Sequence, residues 1–198
     1  MHQSTLKAAV ERRRFVADLL AAVPDALVVT GLGSPSYDVF AAGDRPGNFY
    51  LWGAMGGATS LGLGLALAQP GKSVVVITGD GEQLMGIGSL ATIAVKQPAN
   101  LTIVVLDNGH FGETGMQRSH SSLGTDLVAV AKGSGIADAY SVSAQGGFSQ
   151  IVERVLARKG TSFTQVFITT DEPERVLPPR DGSFVKNRFR AALGFAPF

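Results

Sequence analysis

Apolar positions along the chain switch repeatedly between a helical and an extended spacing. Phe15, Val16, Leu19, Leu20 and Val23 recur at intervals of three and four, which predicts an amphipathic helix stopped by Pro24. The runs ALVVT (26–30), SVVVIT (73–78) and LTIVVL (101–106) are continuous and rich in β-branched residues. That is the pattern of parallel strands covered on both faces. Between them, GLGSPS (31–36) reads as a turn, with Ser34 as N-cap and Pro35 at the first position of a short helix running toward Ala42. NFYLW (48–52) is a further strand candidate, GGATSLGLGLALA (56–68) a helix whose glycines allow close backbone approach, and QLMGIGSLATIAV (83–95) a crossover helix. Beyond them the pattern predicts helices over 125–132 and 148–160, the latter stopped by Gly160, and strands at AYSVS (139–143) and FTQVFIT (163–169).

Strands alternating with helices in this way predict a three-layer α/β/α architecture with a mostly parallel sheet. One domain is expected over residues 1–198, in which 171–198 is a Pro-rich tail with a terminal helix near 184–193. Internal repeats and low-complexity linkers are absent from the sequence. A 198-residue chain with 45% hydrophobic and 17% charged residues can bury a core of its own. Net charge is +1 and the basic residues are scattered, apart from ERRRF (11–15), which reads as a solvated helix face, so no nucleic-acid surface is expected. Without cysteine, neither disulfides nor thiolate metal sites are possible. The opening residues lack the apolar core of a signal peptide, and the most apolar stretch, 54–68, falls short of the ~20 residues that span a bilayer. A cytoplasmic address and no membrane contact are therefore expected.

Chemistry enters at the strand ends, where ligands of such sheets gather. Three Gly-bearing turns sit there: 31–36, 79–81 and 108–109. Each taken alone is equally a tight strand-to-helix connection. Asp80 and Asn108 are 28 residues apart, a spacing that suits a turn, a helix, a loop and one further strand, so the two turns can lie side by side. Asp80 stands between two glycines where a helix begins, so backbone N–H groups can face a phosphate while the carboxylate faces its cation. Mg²⁺ takes six oxygens in an octahedron, often one or two protein ligands plus phosphate oxygens and water. Asp80, Asn108 and the His110 carbonyl would supply three, if the loop turns back.

GDG (79–81) followed after 25 residues by DNG (107–109) resembles the diphosphate and metal motif of thiamine-diphosphate enzymes, with Asp107 in place of the commoner first Asn. The segments LWGAMGGATSLGLGLALA, GDGEQLMGIGSLATI, ANLTIVVLDNG and FGETGMQ are similar to the cofactor-binding (PP-type) subunit of sulfopyruvate decarboxylase and to the C-terminal half of phosphonopyruvate decarboxylase. The likeness is strongest over residues 27–117. It implies a thiamine-diphosphate-binding fold, with Asp80, the Asn108 side chain and the His110 carbonyl as magnesium ligands. It also implies Gly79, Gly81 and the Glu82 backbone as a diphosphate cradle. Gly33 and Ser36 match a phosphate-side position for which Ser34 competes. The Gly53 carbonyl matches the acceptor for the cofactor's exocyclic amine, in a WGAM context that includes Ala54. Met55 falls at the position of an apolar wedge under the cofactor, although core packing is the alternative that composition alone favours.

The implied activity is decarboxylation of a small anionic 2-oxo acid, such as 3-sulfopyruvate or 3-phosphonopyruvate, with thiamine diphosphate and Mg²⁺ as cofactors. Relatives use a Glu from a separate pyrimidine-binding (PYR) domain, and none of Glu11, Glu82, Glu113, Glu153, Glu172 and Glu174 has a matching strand context. A partner subunit, in a hetero-oligomer built on dimers, is therefore implied. Relatives tend to carry Gln-Pro-Thr where this chain has Gln117, Arg118, Ser119 and His120. His110 and His120 are candidate proton donors or anion-binding groups, against a surface or structural role. Arg118 meets either an anionic substrate tail or solvent. Glu82 is awkward beside a diphosphate and must point away or be neutralised. Three other readings stand: a carboligase of the acetolactate synthase kind, a dinucleotide-binding module resting on the incomplete G-x-G-x-x-G of GLGSPS, and a cofactor-holding protein without turnover.

Overall fold

A computed structural model describes residues 9–143 and 147–196, so residues 1–8, including most of the stretch read above for a leader, lie outside it, as do the last two residues of the tail. Six strands form one sheet: β1 (Leu27–Thr30), β2 (Asn48–Tyr50), β3 (Val74–Gly79), β4 (Leu101–Asp107), β7 (Asp138–Val142) and β8 (Ser162–Phe167). Their order is β2-β1-β3-β4-β8-β7, and every neighbouring pair is parallel. A separate antiparallel pair, β5 (His110–Phe111) with β6 (Gln117–Arg118), follows Asn108, where the sequence predicted no strand.

The continuous apolar runs become strands because both faces of the sheet are covered. On one face Val74, Val76, Ile103, Val105 and Phe163 pack with helices α3 (Ala58–Ala68), α5 (Ser89–Lys96), α6 (Leu127–Gly133) and α8 (Gly182–Ala192). On the other, Val75, Ile77, Val104, Leu106 and Val166 pack with α1 (Arg12–Ala22), α2 (Ser34–Ala41) and α7 (Phe148–Ala157). Successive residues of one strand thus enter different cores. Burial of each such Val or Ile contributes roughly 1.5–3 kcal/mol. The terminal helix α8 is held to the edge strand β2 by Phe189, whose ring meets Phe49 edge-on at 5.5 Å.

Local details depart from the sequence expectation in four places. The crossover helix is broken into α4 (Asp80–Met85) and α5, because Gly86 passes so close to Gly56 that a Cβ there would lie 2.0 Å from the Gly56 carbonyl oxygen. Helix α2 begins at Ser34 itself, with Gly33 as its N-cap at φ +86° and no side-chain cap. Helix α7 ends on Arg158 in the left-handed conformation, two residues before Gly160. The ERRRF run opens α1, where Glu11 caps the helix by accepting from the Arg13 and Arg14 backbone N–H groups at 2.8 and 2.7 Å. Among the described residues, no helix is long and apolar enough to cross a membrane.

Two glycines of α3 should respond to alanine with opposite signs. A Cβ on Gly62 would sit 2.2 Å from Val76 Cγ2, on a fully buried strand, whereas one on Gly64 meets nothing within 4 Å. Gly62→Ala should destabilise the chain by about 1–3 kcal/mol through overpacking. Gly64→Ala should stabilise it by about 0.5–1 kcal/mol through helix propensity. Urea denaturation of the three chains checks both, and equal shifts would refute the close packing of α3 on β3.

Candidate functional site

From β1 the chain moves outward to β2, then returns to the other side of β1 to form β3 and β4. The connections therefore diverge between β1 and β3, which is where open α/β sheets form a crevice at their carboxyl ends. A solvent-open cleft with about 620 Å³ of empty space lies at these ends. The register pairs Gly79 with Leu106, so the turns that follow, with Asp80 on one and Asn108 on the other, emerge from adjacent strands. Both residues line the cleft, as do Ser34, Met55, Gly79, Gly81, Glu82 and His110.

Asp80 is 2% exposed and stands in the first turn of α4. Its Oδ2 accepts from the Ser119 hydroxyl, and from Ser121 Oγ at 3.2 Å. Among the described residues no side chain donates to Oδ1. Asp107, buried alongside, accepts from the Gly109 N–H at 2.8 Å, from Gln165 Nε2 at 2.5 Å and from Ser121 Oγ at 2.9 Å. Ser121 has one proton to offer two carboxylates. Burial, and then the Asp107 charge, push the Asp80 carboxyl up to about 7. The pair is short of positive charge, and a divalent cation is the direct remedy.

Asn108 Oδ1 accepts from the His110 backbone N–H at 2.9 Å, which leaves one lone pair of the carboxamide oxygen for another partner. The His110 ring lies 2.7 Å through Nδ1 from the Asn108 carbonyl. Because a carbonyl only accepts, Nδ1 carries the hydrogen and Nε2 is the acceptor of the neutral ring. No group of three or more His, Cys, Asp or Glu side chains suited to a metal occurs among the described residues. A cation here would be held by a mixed set of carboxylate, carboxamide and backbone oxygens, which is what Mg²⁺ accepts when phosphate oxygens complete its shell. The donor set, the charge deficit at Asp80 and the small residues flanking it fit a magnesium diphosphate.

Glu82 turns away from the cleft's centre. Its Oε2 accepts from Thr78 Oγ1 at 2.6 Å and its Oε1 from the Ala58 N–H at 3.4 Å, at the start of α3. Burial raises its pKa while these hydrogen bonds lower it. The carboxylate fills the place where a side chain on Gly31 would stand, with Oε2 only 1.2 Å from that Cβ position. Gly31 therefore makes room for Glu82, which gives this glycine a packing reason independent of any dinucleotide fingerprint. Through Glu82 the GDG turn is tied to the segment bearing Met55, and the Gly56–Gly86 contact ties it again.

The other expected residues lie nearby but off the cleft wall. Ser36 is buried, its hydroxyl donating to the Gly31 carbonyl at 2.5 Å and receiving from Thr30 Oγ1 at 2.6 Å, so it braces the turn. Gly33 caps α2 against Glu113, while Gly53, at φ +71°, and Ala54 are exposed. His120 is exposed and set edge-on against Phe111 at 6.0 Å, and Arg118 is exposed and bonded to Ser122. Sequence reasoning missed Ser119, Ser121 and Gln165, which hold the two carboxylates, and Arg12, which lines the cleft. Three consecutive arginines on a helix point in three directions about 100° apart, so one of them leaving the solvent face was foreseeable.

Residues 36–166 match the family described as thiamine pyrophosphate enzyme, C-terminal TPP binding domain. The chain is 36% identical to sulfopyruvate decarboxylase subunit beta of Methanococcus maripaludis, over 92% of this chain and 97% of that one. It is 39% identical to phosphonopyruvate decarboxylase of Streptomyces viridochromogenes, over 90% of this chain and 45% of the other. Against several relatives the chain spans about half their length. Among solved structures, a thiamine diphosphate-dependent 4-hydroxybenzoylformate decarboxylase from Rhodococcus jostii superposes with a TM-score of 0.69 at 21% identity, covering 84% of this chain and 34% of that one, and so shares the fold.

The Asp80 charge makes a signed prediction for the metal-free chain. A carboxyl whose folded pKa is raised favours the protonated folded state, so stability falls as pH climbs from the ordinary carboxylate range through about 7. In EDTA at pH 8, Asp80→Asn should therefore melt above wild type, and the gap should close by pH 4. Mg²⁺ at pH 8 should raise the wild-type melting temperature and leave Asp80→Asn unmoved. Identical melting of the two chains in EDTA at pH 8 would contradict a buried, uncompensated carboxylate.

Proposed function

The chain belongs to the thiamine pyrophosphate enzyme family through its C-terminal TPP binding domain, and we propose that it is the cofactor-binding subunit of a heteromeric 2-oxo acid decarboxylase acting on a 3-sulfopyruvate- or 3-phosphonopyruvate-like substrate. One observation carries the reading. Asp80 and Asn108, at the ends of adjacent parallel strands, line a single cleft together with Ser34 and Met55. The sulfopyruvate decarboxylase subunit beta that matches nearly end to end supports the substrate class and the division into subunits.

In this reading Asp80 and the Asn108 side chain hold Mg²⁺, with the His110 carbonyl as a third protein oxygen. The Gly79–Gly81 turn and Ser34 receive the diphosphate. Thiamine diphosphate, when bound, supplies a thiazolium carbon that adds to the substrate carbonyl and accepts the electron pair left as CO₂ departs. Met55 gives the cleft an apolar, half-buried side chain against which the cofactor is shaped. Leu32, Leu106 and Ile168 also line the cleft and extend its apolar wall. His110 Nε2 is the one imidazole atom free to take or give a proton at this wall, its partner nitrogen being held by the Asn108 carbonyl.

The glutamate that activates the cofactor comes from the partner. Within this chain, Glu82 is held by Thr78 and Ala58, Glu11 caps α1, and Glu113 lies 3.9 Å from Arg175. Each has a structural task, Glu153 stands on helix α7, and Glu172 and Glu174 lie in the irregular segment before α8, Glu172 lining the smaller neighbouring cavity without a strand to present it. A PYR-type subunit in a hetero-oligomer is the natural source, and a cytoplasmic complex is its expected setting.

Reconstitution tests the reading. With a PYR-type partner, Mg²⁺ and thiamine diphosphate, the chain should release CO₂ from 3-sulfopyruvate or 3-phosphonopyruvate faster than from pyruvate. Asp80→Ala should abolish turnover, a loss beyond the roughly 10–100-fold that changes around a metal's outer shell cause. Ligated acetohydroxy acids from pyruvate, in place of simple decarboxylation, would move the chain to the carboligases. CO₂ release that persists in Asp80→Ala would overturn the site assignment.

A further inference from the structure

Arg12 is a buried cation with no task in the site as described. It opens α1, its side chain is 7% exposed, and it lines the same cleft as Ser34, Asp80 and Asn108. Its ion-pair partner is Asp38, with Nε 3.3 Å from Oδ2, yet neither atom has a hydrogen-bond partner among the described residues. Asp38 is at the same time engaged by Arg13, whose Nε donates to Oδ1 at 3.1 Å and whose Nη2 donates to the Glu174 carbonyl at 2.7 Å. One carboxylate thus serves two guanidiniums, and Arg12 keeps donors to spare at the cleft wall. A buried guanidinium in that condition calls for an anion.

The cleft indicates which anion. A second, smaller cavity adjoins the first; Arg12, Ser34, Asn108 and Glu113 line both, Met55 lines only the first, and Asp171, Glu172 and Arg175 line only the second. Arg12 therefore stands at the Ser34 and Asn108 end, away from the apolar wedge. There the eight-residue helix α2 starts without a side-chain cap. Helix N-termini and arginine are both suited to phosphoryl oxygens. A magnesium ion held by a single carboxylate also leaves its diphosphate with surplus negative charge.

We propose that Arg12 is a ligand for the outer phosphate of the cofactor's diphosphate, an assignment that rests on the cofactor reading above. The guanidinium offers planar paired donors to the phosphoryl oxygens and completes the charge balance that Mg²⁺ and Asp80 leave open. Arg13 keeps Asp38 paired in its absence, so the fold does not depend on Arg12 alone.

Calorimetry on the full chain with Mg²⁺ tests this, using inorganic pyrophosphate, thiamine diphosphate and thiamine monophosphate as probes, with thermal melts to confirm folding. Arg12→Gln should weaken pyrophosphate and thiamine diphosphate by about tenfold to a hundredfold, the scale of a lost charge-assisted hydrogen bond, and leave thiamine monophosphate nearly unchanged. Arg12→Lys should recover part of the loss. Asp38→Asn, which breaks the same ion pair from the other side, should leave all three affinities close to wild type. Equal weakening by Arg12→Gln and Asp38→Asn, or unchanged diphosphate affinity in Arg12→Gln, overturns the assignment. So does a raised KM for an anionic 2-oxo acid at unchanged cofactor affinity, which would put Arg12 on the substrate. Asp80→Ala separates this from the reading beneath it. If Asp80→Ala abolishes Mg²⁺-dependent binding while Arg12→Gln does not weaken it, only the Arg12 assignment falls. If wild type binds no magnesium pyrophosphate, or Asp80→Ala binds it as well as wild type does, the metal site falls first.

Discussion

Two carboxylates folded into the interior within reach of a single hydroxyl are the constraint on which this structure turns. Asp80 and Asp107 share Ser121, and both are buried at the ends of neighbouring strands. Removing charges from water is expensive, and like charges held together make it more so. The fold offsets part of that expense with the Ser119 hydroxyl, the Gly109 N–H and Gln165, all of which donate to one acid or the other. What is left over is a site that prefers a cation. The parallel register of β3 and β4 makes the arrangement unavoidable, because pairing Gly79 with Leu106 delivers both acids to the same edge of the sheet.

Around that charge the turns are braced against one another. Ser36 holds the first turn by its own carbonyl, Glu82 reaches from the second turn to the start of α3, and Gly31 leaves space for it to do so. A carboxylate that seemed out of place beside a phosphate is thus a structural strut, directed to the opposite side of its backbone. The acidic residue proposed to meet the cation and the acidic residue that joins the loops are two positions apart, so the helix turns their side chains about 200° from one another.

Sequence patterning reached the layered fold because the central strands β1, β3 and β4 are apolar along nearly their whole length, the mark of two-sided burial. The cleft was legible through Asp80, Asn108 and their glycines, whose residue types admit few structural explanations in that spacing. Ser119, Ser121 and Gln165 were not legible, since serine and glutamine occur everywhere and only tertiary placement gives these three their partners. Arg12 was hidden for a related reason: a basic run looks like a wetted surface until the bridge between Val10 and Ile168 lays the start of α1 along the sheet. The break between α4 and α5 was written in Gly86 and Gly88, but its cause, the opposing Gly56, lies 30 residues away in the chain.

That meeting of Gly56 with Gly86 fixes how far the Met55 segment can stand from the GDG turn. Two backbones in direct contact have no rotamers to exchange, so the joint has no soft degree of freedom through which thermal motion could widen it. The distance is set by atomic radii, and any lineage that lengthened either residue would have to rebuild both loops at once. The spacing of the cleft is in this sense a property of the main chain, inherited with the fold and closed to gradual adjustment.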